Sequence, residues 1–375
     1  MARQVGIVGA GIVGLAHAWS AAERGHAVTV FERSPRASGA SIRNFGMIWP
    51  VGQSAGERHQ TALRSRERWL LLRDRAGLDV ASCGSIHLAH HEDEWQVLQE
   101  FSARAPGLGF DCQLLSPAEI ERRTPAAQPV GLRGGLWSPT ELRVDPPAAL
   151  RALPVWLATT FGVKFEWNTS IVETRSGGLK RANGVWWQGD HVVLCSGADL
   201  ESLFPELLQP SGLRRCKLQM LKTAPQPGGW RLGPHLAGGL TLRHYPTFEM
   251  CPGLPALRER IAAESPELDQ YGIHVMASQS PSGEVILGDS HEYDDAMEPF
   301  DKQCIDELIL RELRRIIHLP DWQIAARWHG VYAKHPVRPI IAEEPQAGVF
   351  VRVGIGGTGM TLSLGMAEQD WERWA

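Results

Sequence analysis

A chain of 375 residues exceeds one ordinary hydrophobic core, so two domains are expected. Its 43% hydrophobic and 21% charged content describes a globular protein, and a formal net charge of −4 leaves no basic surplus for neutralising nucleic-acid phosphates. The six cysteines are scattered without a CxxC pair, which fits neither a zinc site nor a disulfide framework; reduced thiols and no bound metal are expected.

Val5–Val8 reads as a short buried strand. Gly9-Ala10-Gly11-Ile12-Val13-Gly14 follows as GxGxxG, then Ile12 to Arg24 has helical spacing and Gly25 closes the helix. Val28–Phe31 is the second strand, with Glu32 at its end, 18 residues past Gly14. Strand, glycine turn, helix, strand and acid together predict dinucleotide binding. Gly9 permits the tight turn, Gly11 lets a pyrophosphate approach, and Gly14 lets helix and strand pack closely. The helix N-terminus attracts phosphate, and Glu32 accepts from ribose hydroxyls. Because this strand begins by Val5 and no apolar run is long enough to span a bilayer, no signal peptide, no membrane and a cytoplasmic location are expected.

Arg33 to Pro50 is punctuated by glycine, serine and proline and reads as a loop wrapping a cofactor. Helices are predicted over 55–74, 93–103 and from Ser116 to Arg123, the last with a capping box, and a strand over 85–89. Gly134–Pro139 is a strand and turn. Asp145 caps a helix to Thr160 that Pro154 is expected to kink. Strands follow at 163–167, 170–173 and 191–194, the last running into the small-residue turn Cys195-Ser196-Gly197-Ala198. From Leu213 to His318 the pattern is largely antiparallel, with strands at 218–223, 240–245, 273–277 and 285–287 and helices at 254–263 and 301–317. The chain closes with a strand at Val349–Val353, then Gly354-Ile355-Gly356-Gly357-Thr358-Gly359-Met360-Thr361, and a helix from about Leu362.

That late glycine turn distinguishes a flavin from a nicotinamide. No further βα unit fits after it, so its helix N-terminus must face something already bound. A reduced isoalloxazine carries negative charge at its pyrimidine edge, which a helix N-terminus stabilises.

In order along the chain, Gly9–Gly14 with Glu32, Ala40-Ser41 with Asn44 and Gly46, Val144-Asp145-Pro146, Ile171, Val192–Ala198 and Gly356–Gly359 resemble the D-amino-acid oxidase, glycine oxidase and sarcosine oxidase family of FAD-dependent amine oxidoreductases. The resemblance implies an α/β fold: a Rossmann-type FAD-binding domain (1–80, 140–212 and 325–375) interleaved with an α+β substrate domain (81–139 and 213–324) on a mixed, largely antiparallel sheet. It implies that Gly9, Gly11, Ile12, Val13 and Gly14 bind pyrophosphate and that Glu32 and Arg33 bind the ribose side. Ser41, Arg43 and Asn44 line the phosphate–flavin path, with Ile171, Ser196 and Gly197 nearby, while Gly356, Gly357, Thr358, Gly359, Met360 and Thr361 hold the flavin edge. Sarcosine oxidases tether FAD through a cysteine in the segment that here reads Trp328–Tyr332, which has none, so FAD is expected to be non-covalent. Glycine oxidases place a carboxylate-binding arginine where this chain has Tyr332.

Ser41–Gln53 is similar to a narrower group associated with phosphonate breakdown. That likeness implies oxidation of 2-aminoethylphosphonate or its N-methyl form to phosphonoacetaldehyde, by hydride transfer to flavin and imine hydrolysis. Dioxygen is the expected acceptor, releasing hydrogen peroxide. Tyr332, Lys334, His335 and Arg338 are the candidate substrate residues, several point charges suiting a phosphonate better than one fork. Arg243 and Tyr245 would share one face of a predicted strand with His244 on the other, and His291 would line the pocket. The alternatives are a glycine, sarcosine or D-amino-acid oxidase, a flavin monooxygenase (Gly288-Asp289 echoes its GD motif) and a non-catalytic flavoprotein. The partners expected are a small amine and dioxygen, in a monomer or small homo-oligomer.

Overall fold

The computed structural model describes residues 1–374. Two sheets organise it. The smaller has six strands in the order Ile341–Gln346, Val349–Val353, His191–Leu194, Gln4–Val8, Ala27–Glu32 and Lys164–Trp167. All pairs are parallel except the first, which is antiparallel. Helices Ile12–Glu23, Glu57–Ala76 and Gly359–Arg373 cover it, and their Trp19, Trp69 and Trp371 bury against Ile7, Val30 and Val193.

The glycine motif follows from packing. A side-chain carbon on Gly14 would sit 1.9 Å from the carbonyl oxygen of Gly9, so only a residue without one lets this helix start beside its strand. Helix Pro146–Phe161 forms where the proline pair after Asp145 predicts it. Asp145 accepts the Ala148 N–H at 2.8 Å, and the helix continues through Pro154 as one element.

The larger sheet has nine strands. Eight run in the order Glu292–Asp294, Arg214–Pro225, Glu284–Gly288, Met276–Gln279, His235–Ala237, Ser85–Ala89, Gly134–Ser138 and Gln113–Leu115, and Ile324–Lys334 pairs with Arg214–Pro225. One pairing is parallel, between His235–Ala237 and Ser85–Ala89; the others are antiparallel. Its outer face packs Ile86, Leu88, Leu236 and Leu287 against Phe101, Leu257 and Leu313 of covering helices. Its other face presents Cys216, Leu218, Met220 and Tyr332 toward the loop carrying Ala40 and Phe45.

Three expectations change here. Leu240–Tyr245 is not a strand: Gly239–Arg243 is a 3-10 turn, closed by the His244 N–H donating to the Thr241 carbonyl at 3.1 Å. The strand expected from Ile273 begins at Met276. Residues 324–334, whose greater part was expected beside the cofactor sheet, form an edge strand of the larger sheet. No helix among the described residues is long and apolar enough to cross a membrane.

Candidate active site

A cavity of about 1790 Å³ runs between the two sheets, from Glu32 at one end to the final glycine loop and the larger sheet at the other. At the first end, Glu32 accepts from the Ala10 N–H at 2.9 Å and the Ser34 N–H at 3.0 Å, which fixes its carboxylate at the wall. The Ser41 hydroxyl accepts the Ile12 N–H at 3.0 Å, at the start of the first helix. Gly9, Gly11, Ile12 and Val13 line this end, while Gly14 lies beneath it in the helix–strand contact.

Further along, Asn44 holds its own turn: its amide donates to the carbonyls of Ala40 (3.2 Å) and Ser41 (3.0 Å), and its carbonyl accepts the Gly46 N–H. Arg43 reaches across to the larger sheet and donates to the His329 carbonyl at 3.1 Å. Arg33 is 62% exposed in its side chain and pairs with Asp199 at 2.7 Å, which puts its charge on the rim. Ile171, Ser196 and Gly197 also border the cavity.

At the far end the turn Gly356–Thr358 leads into helix Gly359–Arg373, three residues earlier than the sequence pattern predicts. Met360 and Thr361 face inward there, the Thr361 hydroxyl accepting the Trp49 N–H at 3.0 Å. A carbon added to Gly357 would lie 3.3 Å from the Tyr332 hydroxyl. That tyrosine is buried opposite Cys216, and burial first, then the neighbouring Cys216 and Tyr293, push its phenol far above the ordinary tyrosine range.

The three cations expected near Tyr332 separate. Lys334 bridges to Ile355 and lies with its stem 3.3 Å from the position of a side chain on Gly356, and its amine reaches the Tyr293 hydroxyl at 3.4 Å. Burial lowers its pKa. His335 borders the cavity but spends Nδ1 accepting the N–H groups of Val337 and Arg338. Arg338, 45% exposed, pairs with Glu343.

Arg243 is turned away: its guanidinium binds Asp269 at 2.8 Å and the Ile273 carbonyl at 2.9 Å, and it is not among the lining residues. The 3-10 turn is the reason, since it sends His244 and Tyr245 inward in its place. His291 does line the cavity, beside His244, His274 and Asp289. Gly288-Asp289 lies at the end of a larger-sheet strand, where the Asp289 N–H donates to the His274 carbonyl at 2.8 Å, rather than beside the final glycines as in the monooxygenase reading.

Two lining residues escaped the sequence reading. Arg58, one of many arginines on its helix, donates to Gln53 and to the Thr358 hydroxyl, each at 3.0 Å, and burial lowers its pKa. The signal was its place, in the first turn of the helix that follows the cofactor loop. His274 was visible as a polar residue inside an apolar run, Ile273 to Ala277.

A long cavity that begins at a glycine turn with a fixed carboxylate and ends at a second helix N-terminus, between a parallel and a mixed sheet, defines a flavin-dependent oxidoreductase architecture. The chain belongs to the DAO family, FAD dependent oxidoreductase, whose family model matches residues 4–369. It is 25% identical over 382 residues to the glycine oxidase of Geobacillus kaustophilus (strain HTA426), covering 96% of this chain and 89% of that protein. A D-amino acid dehydrogenase of Vibrio cholerae is 24% identical over 427 residues, covering 97% and 93%. The crystal structure of glycine oxidase from Geobacillus kaustophilus superposes with a TM-score of 0.75 at 20% identity, covering 99% and 95%.

The residues fit FAD. Glu32 stands where a ribose needs acceptors, the glycines leave room for pyrophosphate, and the second helix N-terminus closes the far end of the cavity with Gly357 packed against Tyr332.

Proposed function

We propose that this FAD-dependent enzyme oxidises a small amine bearing a phosphonate, 2-aminoethylphosphonate or its N-methyl form, to phosphonoacetaldehyde. FAD, when bound, takes up the hydride lost from the carbon next to nitrogen. The imine left behind adds water and releases the aldehyde with ammonia or methylamine. The chain's own part is to orient the substrate and exclude water from it.

One observation carries the reading. The far end of the cavity offers two separate donors, the Lys334 amine and the Tyr332 hydroxyl, beside the imidazoles of His244, His274 and His291, and Tyr332 stands where the resemblance puts the arginine fork of a glycine oxidase. A tetrahedral dianion is matched by several donors in three dimensions, a planar carboxylate by one bidentate guanidinium. FAD would be held without a covalent bond by Gly9 to Val13, Glu32, Ser41 and the loop from Gly356 to Thr361. Tyr332 and Lys334 would orient the substrate.

A second reading, an amino-acid or N-methyl-amino-acid oxidase, is favoured by Arg58, a guanidinium beside Thr358 that could take a carboxylate. An anaerobic visible spectrum titrated with 2-aminoethylphosphonate, its N-methyl form, glycine and sarcosine separates them. Bleaching by the phosphonates alone is expected, and bleaching by glycine or sarcosine instead overturns the proposal. Re-admitting air then tests the acceptor: dioxygen as partner predicts one hydrogen peroxide per bleached flavin.

A further inference from the structure

His244, His274 and His291 are far apart in sequence but close in the fold. One ring nitrogen from each lies within 4.8 Å of the others, on the cavity wall. The rings of His244 and His274 lie 3.9 Å apart between centroids, and those of His244 and His291 4.4 Å. We propose that these three histidines form a divalent-metal site of the zinc class, whose open coordination position faces the cavity and takes an acidic oxygen of the substrate. The substrate half of this rests on the phosphonate reading; the metal half does not.

The polar neighbours of two of the rings are those that orient metal ligands. A metal-binding imidazole has one nitrogen fixed by a carbonyl or carboxylate, leaving the lone pair of the other for the ion. His291 donates from Nδ1 to the Gly272 carbonyl at 3.1 Å, which leaves Nε2 as the lone-pair nitrogen. His274 has Nε2 3.0 Å from the Asp289 carboxylate. Its Nδ1 is buried and has no hydrogen-bond partner among the described residues, in a side chain only 3% exposed. An orphaned buried ring nitrogen is costly unless something binds it. His244 is half-buried and stacked on His274, with neither nitrogen in a hydrogen bond among the described residues, so it is the ring that would turn for the three nitrogens to converge on an ion at the ~2.0–2.1 Å of a zinc–imidazole bond.

Three protein ligands and one open position is the arrangement of a catalytic or substrate-binding zinc, closed structural sites having four. The sequence could not reveal this, because the three histidines come from a 3-10 turn, a loop and the segment after a strand, with no ligand spacing among them.

The test uses FAD-loaded protein, stripped with a chelator and then dialysed against zinc chloride or cobalt chloride. Metal per flavin is read by mass spectrometry of the elements. About one ion per FAD is expected for the native chain, falling at least tenfold in His291→Ala and in His244→Ala with the flavin spectrum unchanged. Should His291→Ala not fold, His244→Ala on the half-buried ring decides. No ion above the level bound by the His244→Ala, His291→Ala double variant overturns the site. For the substrate half, methylphosphonate affinity is measured by calorimetry with and without zinc: at least tenfold tighter binding with zinc is expected, and equal affinity after chelation overturns that half. Bleaching by glycine rather than phosphonates would overturn the substrate reading while leaving the metal stoichiometry intact, so the two failures are distinguishable.

Discussion

Lys334 shows how a residue's surroundings shift the pH at which it loses its charge. Its ammonium is partly stripped of water by Tyr293 and the final glycine loop and is repelled by Arg58, while Cys216 opposes the shift; the net pKa is below the lysine norm. A cation with a depressed pKa is lost as pH rises, and lost earlier than a solvated lysine. If the substrate is the proposed phosphonate, its KM is expected to climb on the alkaline side, beginning below the ordinary lysine range. Lys334→Arg should move that rise to higher pH, and Lys334→Met should abolish it while raising KM about tenfold or more, the loss of one charge-assisted hydrogen bond. A KM–pH profile of the three proteins checks this, and an unchanged alkaline limb in Lys334→Met would remove Lys334 from the site. At this scale the sequence was partly legible. Lys334, His335 and Arg338 are adjacent in the chain, but the turn held by His335 and the ion pair to Glu343 send the charge of Arg338 to the surface. Arg243 was misassigned for a related reason, since alternation of faces in a strand does not hold in a 3-10 turn.

The last helix ties the cofactor end of the cavity to the core. Its first turn borders the cavity, and its far half places Asp370 against Arg352 of the neighbouring strand, with contacts at 2.6 Å and 3.2 Å and His17 3.8 Å away. Both partners are buried, so the pair gains little over an apolar substitute but is costly to break. Asp370→Asn leaves a buried guanidinium uncompensated and should cost about 3–5 kcal/mol, whereas Arg352→Met with Asp370→Leu should recover most of that. Chemical denaturation of the two variants measures it; equal losses in both would mean that shape, not charge, dominates there. Elements with their own local signal were readable, such as the first strand–helix–strand unit, the capping box at Ser116 and the proline start after Asp145. Ile324–Lys334 was not, because alanine, arginine, tryptophan and histidine alternate there without an apolar period, and its strand exists through pairing along nearly all of Arg214–Pro225. Pairing of that kind lies outside any local window.

At the scale of the whole molecule, the two sheets meet across the cavity, and the loop from Ala40 to Gln53 is the strap between them. Arg43 reaches the strand Ile324–Lys334 through the His329 carbonyl, and Trp49 is held by Thr361 at the start of the last helix. A ligand that spans the cavity therefore touches both bodies, whereas a nucleotide fragment reaches only the end at Glu32. Anything bound to the folded chain alone stabilises it, by about 2.7 kcal/mol at a hundredfold excess over Kd. FAD returned to the apoprotein should thus raise the melting midpoint by roughly 3–4 °C. The informative comparison is with ADP, which carries the adenine, ribose and pyrophosphate but no flavin. Both ligands should slow hydrogen exchange in Gln4–Val8 and Ala27–Glu32, whose strands meet the glycine turn. FAD alone should slow it in Ile324–Lys334, because Tyr332 and Lys334 face the glycine loop that a flavin edge would complete. Equal protection of that strand by ADP would mean that the larger sheet responds to nucleotide binding at a distance rather than to contact with the flavin, and the cavity would then join the two bodies mechanically without sharing the cofactor between them.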